Sequence, residues 1–132
     1  MPSYRNEKDV KKQVKALLDR FGYFWFMPPA NGYGKAGISD IIALWRGTMI
    51  AIETKFGSNK PTPLQIGFLN SIRKEDGFAF VVSDRNIDWL EAFLESFENA
   101  TMAQAKGEKP RDEDGARMIN ALAELSNKLL DT

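Results

Sequence analysis

The chain contains no cysteine and no histidine, and the two absences together remove most of the common catalytic apparatus. They exclude a Cys/His zinc site, a Ser-His-Asp triad, a Cys-His nucleophile and an imidazole acid–base couple. Any catalysis must run on carboxylates, lysine, hydroxyls or an oxygen-ligated metal. No segment approaches the roughly 18 consecutive apolar residues that span a bilayer. Met1 to Glu7 lacks the apolar core of a signal peptide. The expectation is a cytoplasmic protein with no membrane partner. An excess of one charge is also missing, because 18 Lys/Arg balance 18 Asp/Glu for a formal net charge of zero.

What is present is the composition of an ordinary globular domain: 132 residues, 43% hydrophobic and 27% charged. That length closes one core without disulfides and leaves no room for two full domains. The balanced charge is unevenly spread. Residues 1–76 carry twelve Lys/Arg against seven Asp/Glu, and residues 77–132 carry six against eleven. A basic face of this kind suits a polyanion.

Periodicity gives the elements. Val10, Val14, Leu17, Leu18 and Phe21 form the stripe of an amphipathic helix, with Asn6 or Ser3 as its cap and Gly22 as its stop. Tyr23 to Met27 reads as a short strand ended by Pro28-Pro29. Ile41–Trp45 and Thr48–Phe56, separated by Arg46-Gly47, read as a hairpin. Thr62 and Pro63 open a helix with Leu64, Phe68, Leu69 and Ile72 on one face. Phe78 to Val82 reads as a strand buried on both faces, and Ile87, Leu90, Leu94 and Phe97 as the inward stripe of another helix. A polar connector over 104–114 precedes a helix bearing Met118, Leu122, Leu125 and Leu129. The class is α/β, a mixed central sheet flanked by helices, since a helix between the hairpin and the Phe78 strand implies a crossover. Residues 1–100 form the domain, and 101–132 a charged connector and C-terminal helix packing on it or on a second subunit.

Two carboxylates stand among apolar neighbours. Asp40 lies at the mouth of the Ile41 strand, and Glu53 interrupts the run Met49 to Ile52. Side chains two apart on a strand share a face, so Glu53 and Lys55 project together, and the hairpin can bring Asp40 beside them. Two carboxylates with a backbone carbonyl, here that of Thr54, make a hard oxygen site for Mg²⁺ or Mn²⁺. Such an ion activates water for phosphodiester attack, and an adjacent lysine stabilises the developing charge. A lone Glu-x-Lys more often marks a solvated strand edge. Here the residues occur in order beside apolar strands, behind the glycine-rich loop of residues 31–37.

Gly37-Ile38-Ser39-Asp40, Ala51-Ile52-Glu53-Thr54-Lys55 and Pro61-Thr62-Pro63-Leu64-Gln65 together resemble the VRR-NUC (virus-type replication and repair nuclease) domain of the PD-(D/E)XK superfamily. The resemblance covers about residues 5–85. It implies a restriction-endonuclease-like core in which Asp40 and Glu53 hold the metal, Lys55 is the motif lysine, and Gln65 is the helix glutamine near the site. It also matches Glu7 to an acid on the first helix. Glu7 lies on the inward stripe of that helix, although an acid there can also simply complement the helix dipole. Where the family usually has proline this chain has Ser39, which implies a less rigid approach to Asp40. Stand-alone members resemble Holliday-junction resolvases, so the implied activity is a homodimeric endonuclease on branched DNA in a bacterial or phage-infected cell. A restriction-like or flap-cutting nuclease and a catalytically silent DNA-binding module are the alternatives. Tyr33 and Lys35 in the glycine-rich loop, Lys60, and Lys8 and Lys12 on the first helix are candidate DNA contacts. Lys11 and Lys15 belong to the same charged face as Lys8 and Lys12, a type of face that is usually only solvated.

Overall fold

The structure is a computed structural model that describes residues 3–29 and 37–105. Its elements follow the order α1 (Glu7–Arg20), β1 (Phe24–Phe26), β2 (Ile41–Trp45), β3 (Thr48–Thr54), α2 (Pro63–Lys74), β4 (Phe78–Val82) and α3 (Ile87–Ala105). The strands form one mixed sheet in sequence order, with β1–β2 and β2–β3 antiparallel and β3–β4 parallel. The expected helix after residue 114, together with Tyr33 and Lys35, lies outside the described residues.

Strand alternation divides the sheet between two helical layers. Ile41, Ala43, Ile50, Ile52, Phe80 and Val82 face α1 and α3 in the larger core, where Val10, Val14, Leu18, Leu90, Phe93 and Leu94 are fully buried. Ile42, Ala51 and Ala79 face α2 through Leu69. Polar contacts fasten the helices to one another and to the sheet. Arg20 pairs with Glu91 at 2.7 Å, the Tyr23 hydroxyl donates to the Leu94 carbonyl, and Arg73 donates twice to the Ala79 carbonyl. Among the described residues, no helix is long and apolar enough to cross a membrane.

Local chemistry explains the boundaries. Asn6 caps α1 by accepting the Asp9 N–H, which settles the choice between Asn6 and Ser3. At the hairpin both Arg46 and Gly47 have positive φ, as a two-residue type I′ turn requires. The strand predicted over Tyr23–Met27 is only Phe24–Phe26, and the hairpin's second strand stops at Thr54. Phe78 and Val81 are half-buried, so β4 is not enclosed on both faces throughout.

One inward position differs from expectation. Leu64 is 64% exposed. Gln65, about 100° further round the helix, is the first-turn residue that faces the sheet, on the same side as Leu69 and Ile72. α3 also runs to Ala105, beyond the Phe97 end of its predicted stripe and into the stretch read as connector.

Candidate active site

The hairpin register brings the two acids together. Ile41 pairs with Ile52, and the next antiparallel step sets Asp40 opposite Glu53 at the open end of the strands. Asp40 is held there by Thr54, whose backbone N–H and hydroxyl both donate to Asp40 Oδ2, at 2.9 and 2.7 Å. On the approach to Asp40, Ser39 is 2% exposed, and its hydroxyl donates to the Ile41 carbonyl at 3.4 Å. That long bond tethers the segment leading to Asp40.

Glu53 is the unusual residue. Only 1% exposed, it sits in a position that an apolar side chain would fill at no cost. Its Oε1 accepts from Gln65 Nε2 at 2.9 Å and lies 3.5 Å from Lys55 Nζ. Its Oε2 is buried without a hydrogen-bond partner. Burial pushes the Glu53 carboxyl up from its ordinary 4.5 to about 7; the neighbouring Asp40 adds to the rise, and Lys55 offsets part of it.

Gln65 reaches Glu53 because of how α2 begins. Thr62 accepts the Gln65 N–H, and Gln65 Oε1 accepts the Thr62 N–H at 2.8 Å, closing a capping box. That pairing fixes the amide, since only its oxygen can accept from Thr62, and so its NH₂ must point at Glu53. Gly37 allows the close approach. It has φ +75°, and a Cβ there would overlap the Leu64 carbonyl and crowd the Gln65 backbone nitrogen. The glycine of the Gly37–Asp40 segment is thus what lets that segment lie against the first turn of α2.

The first helix contributes differently from expectation. Glu7 is half-buried on α1, but among the described residues no hydrogen bond or ion pair joins it to Asp40 or Glu53. One turn further on, Lys11 places its Nζ 3.7 Å from Asp40 Oδ1. By sequence Lys11 is grouped with Lys8, Lys12 and Lys15 as one charged face, although its spacing of four from Glu7 and three from Val14 sets it beside the inward stripe. Each acid therefore has its own lysine, Lys11 for Asp40 and Lys55 for Glu53. Lys8 and Lys12 are exposed along a groove of about 590 Å³ that Lys11 and Lys15 also line. Lys60 is exposed beside a smaller hollow that includes Lys55.

The donor set can be tested against a divalent ion. Among the described residues no cluster of three or more acids gathers as a ready metal cage. Mg²⁺ does not need one, because it keeps several waters and binds through one or two carboxylates. The buried Glu53 Oε2, without a hydrogen-bond partner and next to Asp40, leaves a hard oxygen donor that such an ion could take. The residues fit such an ion. In comparisons with known proteins, no family model matches the chain and no curated protein matches it significantly.

Proposed function

We propose that the chain is a Mg²⁺- or Mn²⁺-dependent endonuclease hydrolysing DNA phosphodiester bonds, built on a restriction-endonuclease-like core. The observation that carries this reading is the buried, unpartnered Glu53 Oε2 beside Asp40, with Lys55 and Gln65 occupying the other Glu53 oxygen. Asp40, Glu53 and the Thr54 carbonyl would hold the ion. When bound, it supplies an acidified water and offsets charge on the phosphate.

The protein's own residues do the rest. Thr54 keeps Asp40 turned inward through two hydrogen bonds. Gln65 holds Glu53 through Oε1 and leaves Oε2 without a hydrogen-bond partner. Lys55, with its side chain 15% exposed, carries a positive charge to where the phosphorane would develop, and in that half-dry setting the charge acts more strongly than in water. No step calls for histidine or cysteine, in keeping with a chain that has neither.

The resemblance to VRR-NUC domains extends the proposal to branched DNA and to a homodimer, since a four-way junction needs two paired incisions and two-fold symmetry supplies them. Incubation of the purified protein with a four-way junction and either ion tests the reading. Incision by the wild type and none by Glu53→Ala is the expected result. No incision with either ion, or full incision by Glu53→Ala, overturns it. Parallel linear and flapped substrates measure the preference for junctions, and sedimentation measures the dimer.

A further inference from the structure

Beside Lys55 and Val81, the latter packed in the smaller core under α2, a hollow of about 260 Å³ opens between two loops. One follows β3 and contributes Gly57 and Lys60; the other joins β4 to α3 and contributes Ser83 and Arg85. The walls are pinned. Gly57 N–H donates to Asp84 Oδ1 at 2.8 Å, Ser83 N–H to Asn86 Oδ1 at 2.7 Å, and Arg85 N–H to Ser83 Oγ at 3.1 Å. The side chains of Lys60 and Arg85 are exposed, and neither has an ion-pair partner among the described residues. The carboxylate next to Arg85, that of Asp84, is turned towards Gly57. Three cations therefore line one small concavity, and two of them are uncommitted.

We infer that Lys60 and Arg85, with Lys55 on the inner wall, form a subsite for a backbone phosphate of the nucleic-acid strand, one step along from the bond being cut. This rests on the nuclease reading for the word "cut" but not for the binding. Arg85 offers a planar fork that matches two phosphate oxygens, and Lys60 a mobile point charge. Lys55 belongs both to the hollow and to the Glu53 pair, so a phosphate held here is adjacent to the acids. Across the site, Lys11 links Asp40 to the lysine-lined groove of α1. A strand crossing the acid pair thus meets cations on both sides, where it would otherwise meet only repulsion from Asp40 and Glu53. A contact of Lys60 and Arg85 with a backbone phosphate is sequence-independent.

Binding of fluorescein-labelled dT8 to the full chain, measured by anisotropy over a series of salt concentrations in EDTA, isolates this subsite from catalysis. Arg85→Ala and Lys60→Ala are each expected to weaken binding several-fold and to reduce the salt slope by about 0.7, one single-strand phosphate contact. Lys74→Ala, an exposed cation at the far end of α2, serves as the control and should keep both affinity and slope. The inference is overturned if Arg85→Ala and Lys60→Ala behave like Lys74→Ala, or if the wild type does not bind dT8. If the wild type binds with the expected losses but cleaves no DNA with Mg²⁺ or Mn²⁺, the subsite stands and the nuclease reading falls.

Discussion

Glu53 is a buried carboxyl that costs the fold stability once it ionises. A carboxyl whose folded pKa is about 7 against an ordinary 4.5 binds a proton more tightly folded than unfolded. The native state therefore loses stability as pH rises from about 4.5 to 7, then stays level, with a total loss on the order of 3 kcal/mol. Glu53→Gln keeps the shape and removes the titration. In EDTA, urea denaturation should find Glu53→Gln close to wild type near pH 4.5 and more stable by up to that amount at pH 8. A stability difference that does not change between the two pH values would contradict the burial account of the shift. Gln65 permits a sharper test, because its two ends do different work. Gln65→Glu keeps an oxygen for the Thr62 N–H but replaces the NH₂ donor with a carboxylate oxygen against Glu53. A second like charge disfavours the ionised form of Glu53, so urea denaturation across pH should find the fall in stability moved to higher pH than in wild type. A pH profile matching wild type would mean that the Gln65 side chain does not act on Glu53.

At the scale of elements, the pieces of the site were legible to different degrees. The hairpin, its Arg46-Gly47 turn and the Thr62–Pro63 helix start follow from local rules, and once the register is known Asp40 must lie opposite Glu53. The contact of Gln65 with Glu53 was not readable from periodicity, which favoured Leu64 as the inward residue; only the family resemblance pointed to Gln65. Lys11 was hidden for a different reason. Its spacing from Glu7 and Val14 sets it beside the inward stripe, but its place over Asp40 also depends on how α1 lies across the sheet, which that spacing does not encode. Arg85 was missed because it is one cation in a tight turn, and its hollow exists only when that turn meets the 57–60 loop. The contact between the Gly37–Asp40 segment and α2 gives the element-scale prediction. Gly37→Ala must hold a left-handed φ and push its methyl into the Leu64 carbonyl, which should lower stability by about 2 kcal/mol. Denaturation against wild type reads this directly, and an unchanged midpoint would show that the segment does not depend on that close approach.

Over the whole molecule, a formal charge of zero predicts no long-range attraction to DNA, yet the arrangement of those charges predicts strong local binding. The lysine groove of α1 and the Lys60–Arg85 hollow flank the acid pair, while α3 turns Glu91 towards the far end of α1, where it pairs with Arg20. Screening distinguishes the two pictures. A molecule governed by net charge would show little salt dependence, whereas one that neutralises individual phosphates releases their counterions and weakens steeply with salt whatever its total charge. Lys8→Glu with Lys12→Glu changes the net charge by −4 in the groove, and should weaken dT8 binding by tenfold or more while flattening the salt slope by about 1.4, two single-strand contacts. Glu95→Lys, at an exposed position on α3 that lines neither basic surface, changes the net charge by +2 and should alter affinity less than twofold. Anisotropy titrations of the two variants decide the matter. If Glu95→Lys strengthens binding as much per unit charge as the groove reversal weakens it, the molecule binds through its total charge and the proposed strand path across Asp40 and Glu53 is wrong.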